Sequence, residues 1–387
     1  MLFDKYEQRL MQNGLAAPGA ALMASAENGE LSFNRDAADI SLLAPLFDKL
    51  QIKALIRVQP EEPYRSILDF LARPPAGTIC PQDCETRLFL TDLPVAAEDS
   101  GEAFAKILSR RKSVIVPGNG IIAASSRSLR EAFVTASSVC FACFVKFFTD
   151  LLQARKSGKE SPESRRMLEY AVSVTTPPPQ WEEGLCRGPF TGEEKIRAAI
   201  CEAGKKIVAL GLVDSCFGNI SYCAKQTLYI SRTGTFLDTL EDGITECPIK
   251  EAPENHPEAS SELPAHLEIL RRTDCRAILH GHPRFSVVLS MDCDIADCPH
   301  AGTCYRYCPY SRYACSDIPI VSGEVGGGKW GLCHTVPPVI REGQGVIVYG
   351  HGVFCCDETD FNRALARLAA IERRCYLRYL QLMELSP

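Results

Sequence analysis

The pattern of apolar positions divides the second half of the chain into short strands and longer helices. Residues 228–231, 276–279 and 346–349 are short runs rich in Leu, Ile and Val, which is typical of buried strands. One apolar helical face, expected to end at Gly211, is formed by Ile196, Ala199, Ile200, Ala203 and Ile207. A final helix over about 358–383 has Phe361, Leu365, Leu368, Cys375 and Leu382 on one side. Strands alternating with helices predict a mixed α/β fold built in layers.

A similar series of segments occurs in the first half. Three apolar segments recur in the same order, at offsets of 232, 223 and 225 residues: 114–122 with 346–354, 54–60 with 277–283, and 92–95 with 317–320. At 387 residues the chain is also too long for one ordinary core. We therefore predict two tandem copies of one α/β fold.

Composition places the boundary between the copies at 154–189. Residues 154–164 are charged and polar, and 177–179 are three consecutive prolines, which is typical of a linker. The predicted domains are therefore 1–153 and 190–387. The second is expected to begin near Thr191, because residues 191–194 have the form of a capping box.

Three of the seven histidines have the spacing of a metal site. His280 and His282 are two residues apart at the end of a predicted strand, so both imidazoles should leave the same face. His351 lies between two glycines, and Glu262 supplies a carboxylate upstream. Three histidines with an open position suit zinc acting as a Lewis acid. The alternatives are buried histidines bonded to the backbone and, for Glu262, a carboxylate at a helix N-terminus.

The first copy lacks these ligands. Arg57, Gln59 and Asn119 occupy the positions of the three histidines, and Asp39 lies at about the position of Glu262. A protonated guanidinium cannot bind a metal, and amides bind zinc poorly. The first copy is therefore predicted to be degenerate and to serve the second as a scaffold or lid.

The ordered motifs of the second half resemble those of a known family. They are Gly218-Asn219-Ile220-Ser221, Ser231-Arg232-Thr233-Gly234, Ser260-Ser261-Glu262, His280-Gly281-His282-Pro283 and His351-Gly352. This set is similar to the class II aldolase/adducin family, which includes L-fuculose-phosphate and L-rhamnulose-phosphate aldolases. The resemblance covers about 190–385 and, in degraded form, about 1–150. It implies a three-layer α/β/α fold in two tandem copies.

The resemblance also implies roles for individual residues. One Zn²⁺ would be bound by His280, His282 and His351, and Glu262 would be the acid/base. A substrate phosphate would lie in an anion nest formed by Gly218, Asn219, Thr233, Gly234, Ser260 and Ser261. The expected function is that of a zinc-dependent lyase, which cleaves a carbon–carbon bond of a small sugar phosphate or related hydroxy-carbonyl compound by retro-aldol chemistry through a metal-bound enediolate. Family members are usually ring-shaped tetramers, so a homo-oligomer with sites at domain or subunit interfaces is expected.

Two other functions stay open. The family also contains epimerases, acting for example on a pentulose phosphate, and decarboxylases that use the same metal site. Whether the substrate carries a phosphate is the observation that would separate these alternatives from the aldolase. Cys216 stands where sugar-phosphate aldolases often have a hydroxyl residue, which weakens the prediction of a phosphate. The second alternative is an adducin-like binding module without activity, against which the complete histidine set argues.

A cysteine-rich insert, 293–315, follows the histidine pair. Its cysteines are spaced C-x4-C-x5-C-x3-C-x6-C among prolines and glycines that predict a loop. A candidate second metal site, for zinc or an iron–sulfur cluster, is formed by Cys293, Cys298, Cys304 and Cys308. Free thiols in a reducing compartment are the alternative.

Composition limits the partners and the location. The chain is 46% hydrophobic with a formal net charge of -6, which argues against nucleic acid or an anionic membrane and leaves a small molecule as the expected partner. Its start lacks the apolar core of a signal peptide, and 19 cysteines favour reduced thiols or metal ligands, so a cytoplasmic protein is expected. The longest apolar stretch, 132–148, contains Lys146, is too short to span a bilayer and is predicted to be a buried helix.

Overall fold

The computed structural model describes residues 2–73, 77–182, 184–295, 297–340 and 345–386. The chain divides into two compact units, Met1–Thr176 and Pro177–Pro387.

The first unit has alternating helices and strands. Its helices are α1 (Leu2–Gln12), α2 (Ile40–Leu50), α3 (Tyr64–Leu71), α4 (Cys84–Leu90), α5 (Gly101–Leu108), α6 (Leu129–Lys156) and α7 (Pro162–Val174). Its strands are β1 (Leu22–Ser25), β2 (Ser32–Phe33), β3 (Ala54–Val58), β4 (Thr78–Ile79), β5 (Leu93–Pro94), β6 (Ser113–Val116) and β7 (Gly120–Ser125).

The first unit has three layers around a five-stranded antiparallel sheet with the order β2-β1-β3-β7-β6. Helices α2 and α5 bury their apolar faces on one side of this sheet, and α6 packs on β7, β3 and β1. By length and composition α6 is apolar enough to cross a membrane, but nearly all of it is buried within the unit. It is therefore the core helix that the sequence predicts at 132–148.

The second unit also has alternating helices and strands. Its helices are α8 (Glu193–Ala209), α9 (Leu263–Arg272), α10 (Arg284–Ser290), α11 (Leu332–Thr335) and α12 (Phe361–Leu382), with a 3-10 turn at Pro253–Asn255. Its strands are β8 (Asn219–Ala224), β9 (Thr227–Ser231), β10 (Ile244–Pro248), β11 (Ala277–Gly281), β12 (Arg312–Ala314), β13 (Ile318–Val321), β14 (Val346–Val348) and β15 (Gly352–Asp357).

The second unit is a three-layer α/β/α domain. Its eight-stranded sheet has the order β10-β9-β8-β11-β15-β14-β13-β12, and β13 and β14 form its parallel pair. Helices α9 and α11 pack on one face, where Ile269, Ile278 and Leu332 share a buried cluster. Helices α8 and α12 pack against β8, β11 and β15 and against each other. The predicted α/β/α layers are thus confirmed for the second half of the chain.

Five strands of each unit are arranged in the same way. The series β2-β1-β3-β7-β6 corresponds to β9-β8-β11-β15-β14, and every neighbouring pair in both series is antiparallel. Arg57 faces Ile122 across β3 and β7, as His280 faces Phe354 across β11 and β15. The likeness thus extends to the register of the strands, while a common origin of the two units stays a prediction.

A glycine at the start of one strand has the same environment in both units. A side chain added at Gly120 would come within 2.1 Å of the carbonyl oxygen of Val58, and one added at Gly352 within 2.3 Å of that of Gly281. Both glycines therefore allow the neighbouring strand to approach closely. This contact brings the β14–β15 hairpin against the end of β11.

Two sequence expectations need correction. The predicted linker, 154–189, is helical at Pro162–Val174, and the units divide at Thr176 within it. Helix α7 escaped notice because it has few buried apolar residues, only Leu168 and Ala171 being buried. The predicted capping box is absent, since the N-cap of α8 is Gly192 and makes no side-chain hydrogen bond. Thr191 therefore lies one residue too early for its hydroxyl to cap the helix.

Candidate metal centre

Three histidines lie at neighbouring strand ends of the second unit. His280 is the penultimate residue of β11, and His282 follows that strand, with its backbone N–H donating to the carbonyl of Leu212 at 2.9 Å. His351 lies in the turn between β14 and β15, where its N–H donates to the carbonyl of Val348 at 3.1 Å. Since β11 and β15 are paired, these ends meet at one edge of the sheet.

The three imidazoles form a nearly equilateral triangle. Their ring centroids are 4.8 Å apart for His280 and His282, 5.0 Å for His280 and His351, and 4.9 Å for His282 and His351. Each offers one ligand nitrogen, and these nitrogens all lie within 4.8 Å of one another. The ring of His280 is also stacked on Phe354, with centroids 4.1 Å apart, which fixes its plane.

The donor set fits a divalent cation. Nδ1 of His280 donates to the carbonyl of Val353 at 3.1 Å, which leaves its Nε2 lone pair facing Nε2 of His282 at 3.0 Å. Oε2 of Glu262 lies 3.4 Å from Nε2 of His280, and Oε1 lies 3.5 Å from Nε2 of His351. Three nitrogens and a carboxylate thus surround one buried point, a combination that suits zinc with an open position.

Burial keeps the histidines in the form that binds metal. It lowers the pKa of His280 well below the usual value, and the nearby His282 and His351 lower it further. Burial likewise lowers the pKa of His282. Because protonated imidazole has no lone pair to donate, the low pKa values favour neutral rings at neutral pH.

A chain of buried hydrogen bonds positions Glu262. Nδ2 of Asn219 donates to Oε2 of Glu262 at 2.6 Å, so the Asn219 oxygen accepts from Nε2 of His266, also at 2.6 Å. Nδ1 of His266 then accepts from the hydroxyl of Ser221 at 2.7 Å. Burial lowers the pKa of His266 to about 3, which agrees with this neutral tautomer. The carboxylate is therefore held from behind by a fixed series of donors.

A second buried carboxylate fixes the helix that follows His282. Glu372 on α12 accepts hydrogen bonds from the backbone N–H groups of Phe285 and Ser286, each at 2.8 Å, and from the Ser286 hydroxyl at 2.7 Å. These N–H groups belong to the first turn of α10, which has no capping side chain of its own. A carboxylate from another helix thus supplies the missing acceptor.

Two of the predicted phosphate-binding residues, Gly218 and Asn219, pack against residues of the candidate metal centre. Asn219 is buried and uses both ends of its amide for Glu262 and His266. Gly218 has a φ of +87°, and an added side chain would lie 2.7 Å from the carbonyl oxygen of His280. Its side of β8 therefore packs tightly on β11.

The other predicted phosphate-binding residues lie together beyond the end of β9. The hydroxyl of Thr233 donates to the carbonyl of Ala259 at 2.7 Å, so its proton is already used. Oγ of Ser260 accepts from the N–H of Glu262 at 3.3 Å and keeps its own proton for a ligand. Ser261 and Gly234 are exposed. Of the six candidates, Ser260 and Ser261 keep side-chain hydroxyls that suit an anion.

Sequence reasoning missed His266 and Ser221. His266 is four residues after Glu262 at the start of α9, which places both on one helical face. Ser221 is two residues after Asn219 on β8, so both side chains leave the same face. Both spacings can be read from the sequence. They belong to no recognised motif, because these residues contact a site residue rather than the substrate or metal.

Comparison with known proteins places the domain in a family. Residues 198–379 match the family model of the class II aldolase and adducin N-terminal domain. The second half of the chain belongs to the class II aldolase/adducin family. The resemblance predicted from the ordered motifs is thereby confirmed for this half, while a degenerate copy in the first half is not shown by the match.

The aldolase/adducin domain is similar to several solved structures. L-fuculose-1-phosphate aldolase from Thermus thermophilus is 24% identical, with a TM-score of 0.38, over 50% of this chain and 94% of that one. Sugar-phosphate aldolase from Thermotoga maritima is 18% identical, with a TM-score of 0.35, over 50% and 97%. YgbL from Escherichia coli, a putative aldolase/epimerase/decarboxylase, is 18% identical, with a TM-score of 0.38, over 48% and 88%. No curated protein matches the chain significantly.

The first unit has an ion-pair network where the aldolase/adducin domain has its histidines. The guanidinium of Arg57 donates to both oxygens of Asp99, at 3.2 and 2.9 Å, and its Nε lies 3.1 Å from Asp39. Nδ2 of Asn119 donates to Asp99 at 2.9 Å. Nε2 of Gln59 donates to the carbonyl of Gly118 at 2.8 Å. A positive side chain thus lies among the carboxylates, as the predicted loss of metal ligands would require.

The insert of the aldolase/adducin domain does not form a compact ligand set. Within the part of the chain that the structure describes, the His280, His282 and His351 group is the cluster of three or more side chains at metal-binding separation. Cys315, at the end of the insert, is hydrogen-bonded to Cys375 of α12 instead. The other four cysteines of the insert are exposed or half-buried: Cys293, Cys298, Cys304 and Cys308.

Proposed function

We propose that the aldolase/adducin domain is a metal-dependent lyase that breaks a carbon–carbon bond of a small hydroxy-carbonyl compound by retro-aldol chemistry. The observation that carries this proposal is the convergence of three imidazoles and both oxygens of Glu262 on one buried point. Membership of the class II aldolase/adducin family supports the proposal, because the aldolases of this family are expected to use three histidines and a carboxylate in this way.

The residues of the site have separable roles in this reaction. His280, His282 and His351 would hold Zn²⁺ or a similar divalent ion, which when bound supplies Lewis acidity to a substrate carbonyl or hydroxyl group. Glu262 would move the proton, which leaves the substrate hydroxyl as the carbon–carbon bond breaks and is returned to the carbon of the other fragment.

The residues around Glu262 support its use as a base. Its Oε2 accepts from Asn219, whose own oxygen is held by His266, so the carboxylate cannot rotate freely. All three side chains are buried, at 3%, 5% and 0% exposure for Glu262, Asn219 and His266, which limits competition by water for the transferred proton.

The substrate is proposed to carry an anionic group, probed first as a phosphate. Ser260 and Ser261, just before the start of α9, offer hydroxyl donors beside the candidate metal centre. Asn219 already donates a hydrogen bond to Glu262, and Thr233 donates one to the carbonyl of Ala259. Fewer residues than predicted would therefore contact the phosphate.

We also propose that the first unit is a degenerate copy of the aldolase/adducin domain. The shared strand order and register support this, as does the likeness between the Arg57–Asp39 pair and the His280–Glu262 pair. Replacement of a cation by the Arg57 guanidinium explains how the unit keeps its fold without a metal.

The test measures metal content and carbon–carbon cleavage together. The purified full chain is assayed for cleavage of ketose 1-phosphates and, in reverse, for condensation of dihydroxyacetone phosphate with an aldehyde. His282→Ala should lose both the metal and turnover, and Glu262→Gln should keep the metal and lose turnover. Gln59→Ala in the first unit is the matched control and should change neither.

Three results would contradict the proposal in different ways. Exchange of a substrate proton without cleavage would indicate an epimerase on the same metal site. Release of carbon dioxide from an acid would indicate a decarboxylase. Absence of bound metal, with none taken up on addition, would favour an adducin-like binding module.

A further inference from the structure

The cysteine-rich insert contains a long stretch without a buried core of its own. Between α10 and β12, residues 292–311 have no regular helix or strand among those described, and none of these side chains is buried. Irregular loops of this length are uncommon in compact domains, because the backbone entropy has to be offset by buried contacts. Small segments without a core are usually held by disulfides or a metal.

The insert is nevertheless folded into consecutive turns. Backbone N–H groups of Ala301 and Thr303 donate to the carbonyls of Cys298 and His300, at 3.0 and 2.9 Å. Sγ of Cys304 donates to the carbonyl of His300 at 3.4 Å. The turns leave Cys298, Cys304 and Cys308 half-buried, while most of their neighbours are exposed. Three of the four thiols are therefore among the less exposed side chains of the insert.

The four thiols are close enough to influence one another. Burial raises the pKa of the Cys304 thiol, and three neighbouring thiolates raise it further, those of Cys308, Cys298 and Cys293. Gathering several thiols in this way disfavours their charged forms unless a cation neutralises them.

The insert is also tied to the metal centre of the domain. Nη2 of Arg312 donates to the carbonyls of Ser290, at 2.7 Å, and Asp292, at 2.5 Å, at the end of α10. Its guanidinium lies 5.2 Å from the ring centroid of Tyr349, two residues before His351. The Ser290 hydroxyl accepts from the N–H of Gly350 at 2.7 Å. Order in the insert therefore supports the turn that carries His351.

We propose that Cys293, Cys298, Cys304 and Cys308 bind a second, thiophilic metal centre that holds the insert together. The site does not depend on the reaction of the histidine centre. A single zinc would hold its sulfur ligands about 4 Å apart, given a Zn–S bond of about 2.3 Å. Among the described residues no three of these sulfurs come within 4.8 Å of one another, so the sulfurs would have to draw together around either a single zinc or the larger iron–sulfur cluster.

The experiment counts metals in the full chain purified without oxygen. Zinc, iron and acid-labile sulfide are measured per chain, together with visible absorption, in wild type and in Cys298→Ser/Cys304→Ser. Cys201→Ser/Cys223→Ser is the matched control, because these cysteines are also half-buried but lie outside the insert. His282→Ala separates the two centres, since it should remove only the metal of the histidine site.

Iron and sulfide that are lost in Cys298→Ser/Cys304→Ser, but kept in His282→Ala and in the control pair, would establish an iron–sulfur cluster. A second zinc with the same pattern would establish the site and identify its metal as zinc. Equal metal content in wild type and Cys298→Ser/Cys304→Ser would overturn the proposal.

A thiol titration of the wild-type protein tests the same proposal without relying on a variant that folds. Wild-type protein is treated with a thiol reagent before and after metal removal by a chelator, with circular dichroism as the check on folding. Four additional reactive thiols after chelation are expected, and these should map to the insert. An unchanged number of reactive thiols would overturn the proposal without any variant.

Discussion

At the residue scale, one amide connects the metal centre to the interior of the domain. Asn219 joins Glu262 to His266, and His266 in turn accepts a hydrogen bond from the hydroxyl of Ser221. The family resemblance implies that Asn219 is a phosphate ligand, and a glycine–asparagine turn also suits anion binding. The spacing could not show which partner it takes, since Glu262 and His266 are more than forty residues away.

Asn219→Ala is expected to lower turnover while leaving the metal bound. A hydrogen bond to a charged group contributes about 1.5–3 kcal/mol, which corresponds to a loss of about 10- to 100-fold in turnover if the bond acts in the transition state. Steady-state kinetics with metal analysis would measure this. The control is Asn34→Ala, because Asn34 also makes two amide hydrogen bonds but lies in the first unit. Loss of metal with Asn219→Ala would show a ligand-holding role instead.

Cys315 is expected to be unusually reactive for a thiol in this chain. The hydrogen bond from Cys375 lowers the pKa of Cys315 to about 7, with Arg374 and Arg378 contributing, although burial opposes them. Its thiolate should therefore form as the pH rises through about 7. Alkylation by iodoacetamide, followed by peptide mass spectrometry across that pH, should label Cys315 before Cys201, whose pKa burial raises. Equal labelling of the two would contradict this assignment.

At the element scale, three strands of the second unit and helices α8 and α12 follow from the pattern of apolar residues. The predicted runs 228–231, 276–279 and 346–349 fall on β9, β11 and β14, and the last two of these strands are buried on both faces. Prediction failed where the local signal was weak, as in α7, whose polar composition resembles a linker. It also failed at the start of α10, because the acceptor for its N–H groups comes from α12, far along the chain.

Glu372→Ala should destabilise the second unit by about 1–3 kcal/mol, because it removes the acceptor for buried donors at the start of α10. Glu372→Gln keeps one acceptor oxygen and should cost less. Denaturant unfolding at a fixed metal concentration would measure the difference. Glu254→Ala, at an exposed position, is the control and should be neutral. A Glu372→Ala variant as stable as the control would show that water replaces the carboxylate.

At the scale of the whole molecule, buried neutral histidine makes stability depend on pH. Burial lowers the pKa of His266 to about 3, whereas in the unfolded chain it is about 6.5. Between these values the unfolded state binds more protons, so stability rises with pH there and is lost as pH falls. The slope from this residue is at most about 1.4 kcal/mol per pH unit.

His266→Gln should flatten this dependence, because glutamine does not titrate. Unfolding free energies of wild type and variant, measured with metal in excess, should converge as pH falls from about 6.5 towards 3. Parallel curves for the two proteins would show that His266 does not stay neutral in the folded state.

The likeness of the two units predicts that a metal site can be rebuilt in the first one. Arg57→His/Gln59→His/Asn119→His, made in a His282→Ala background, should restore about one bound metal per chain, since Asp39 already lies beside Arg57. The alanine triple at the same positions is the control and should bind none. A histidine triple that folds but takes up no metal would argue against equivalent backbone geometry in the two units.

The sequence by itself determined which residue types can bind metal, which face of a strand they share and which family the second half belongs to. These properties depend on local spacing and side-chain chemistry, which the order of residues fixes directly. Tertiary structure alone decided that Asn219 serves Glu262, that Glu372 caps α10 and that Arg57 pairs with Asp99. Each of these contacts joins distant segments, so it depends on strand register and helix packing rather than on any pattern along the chain.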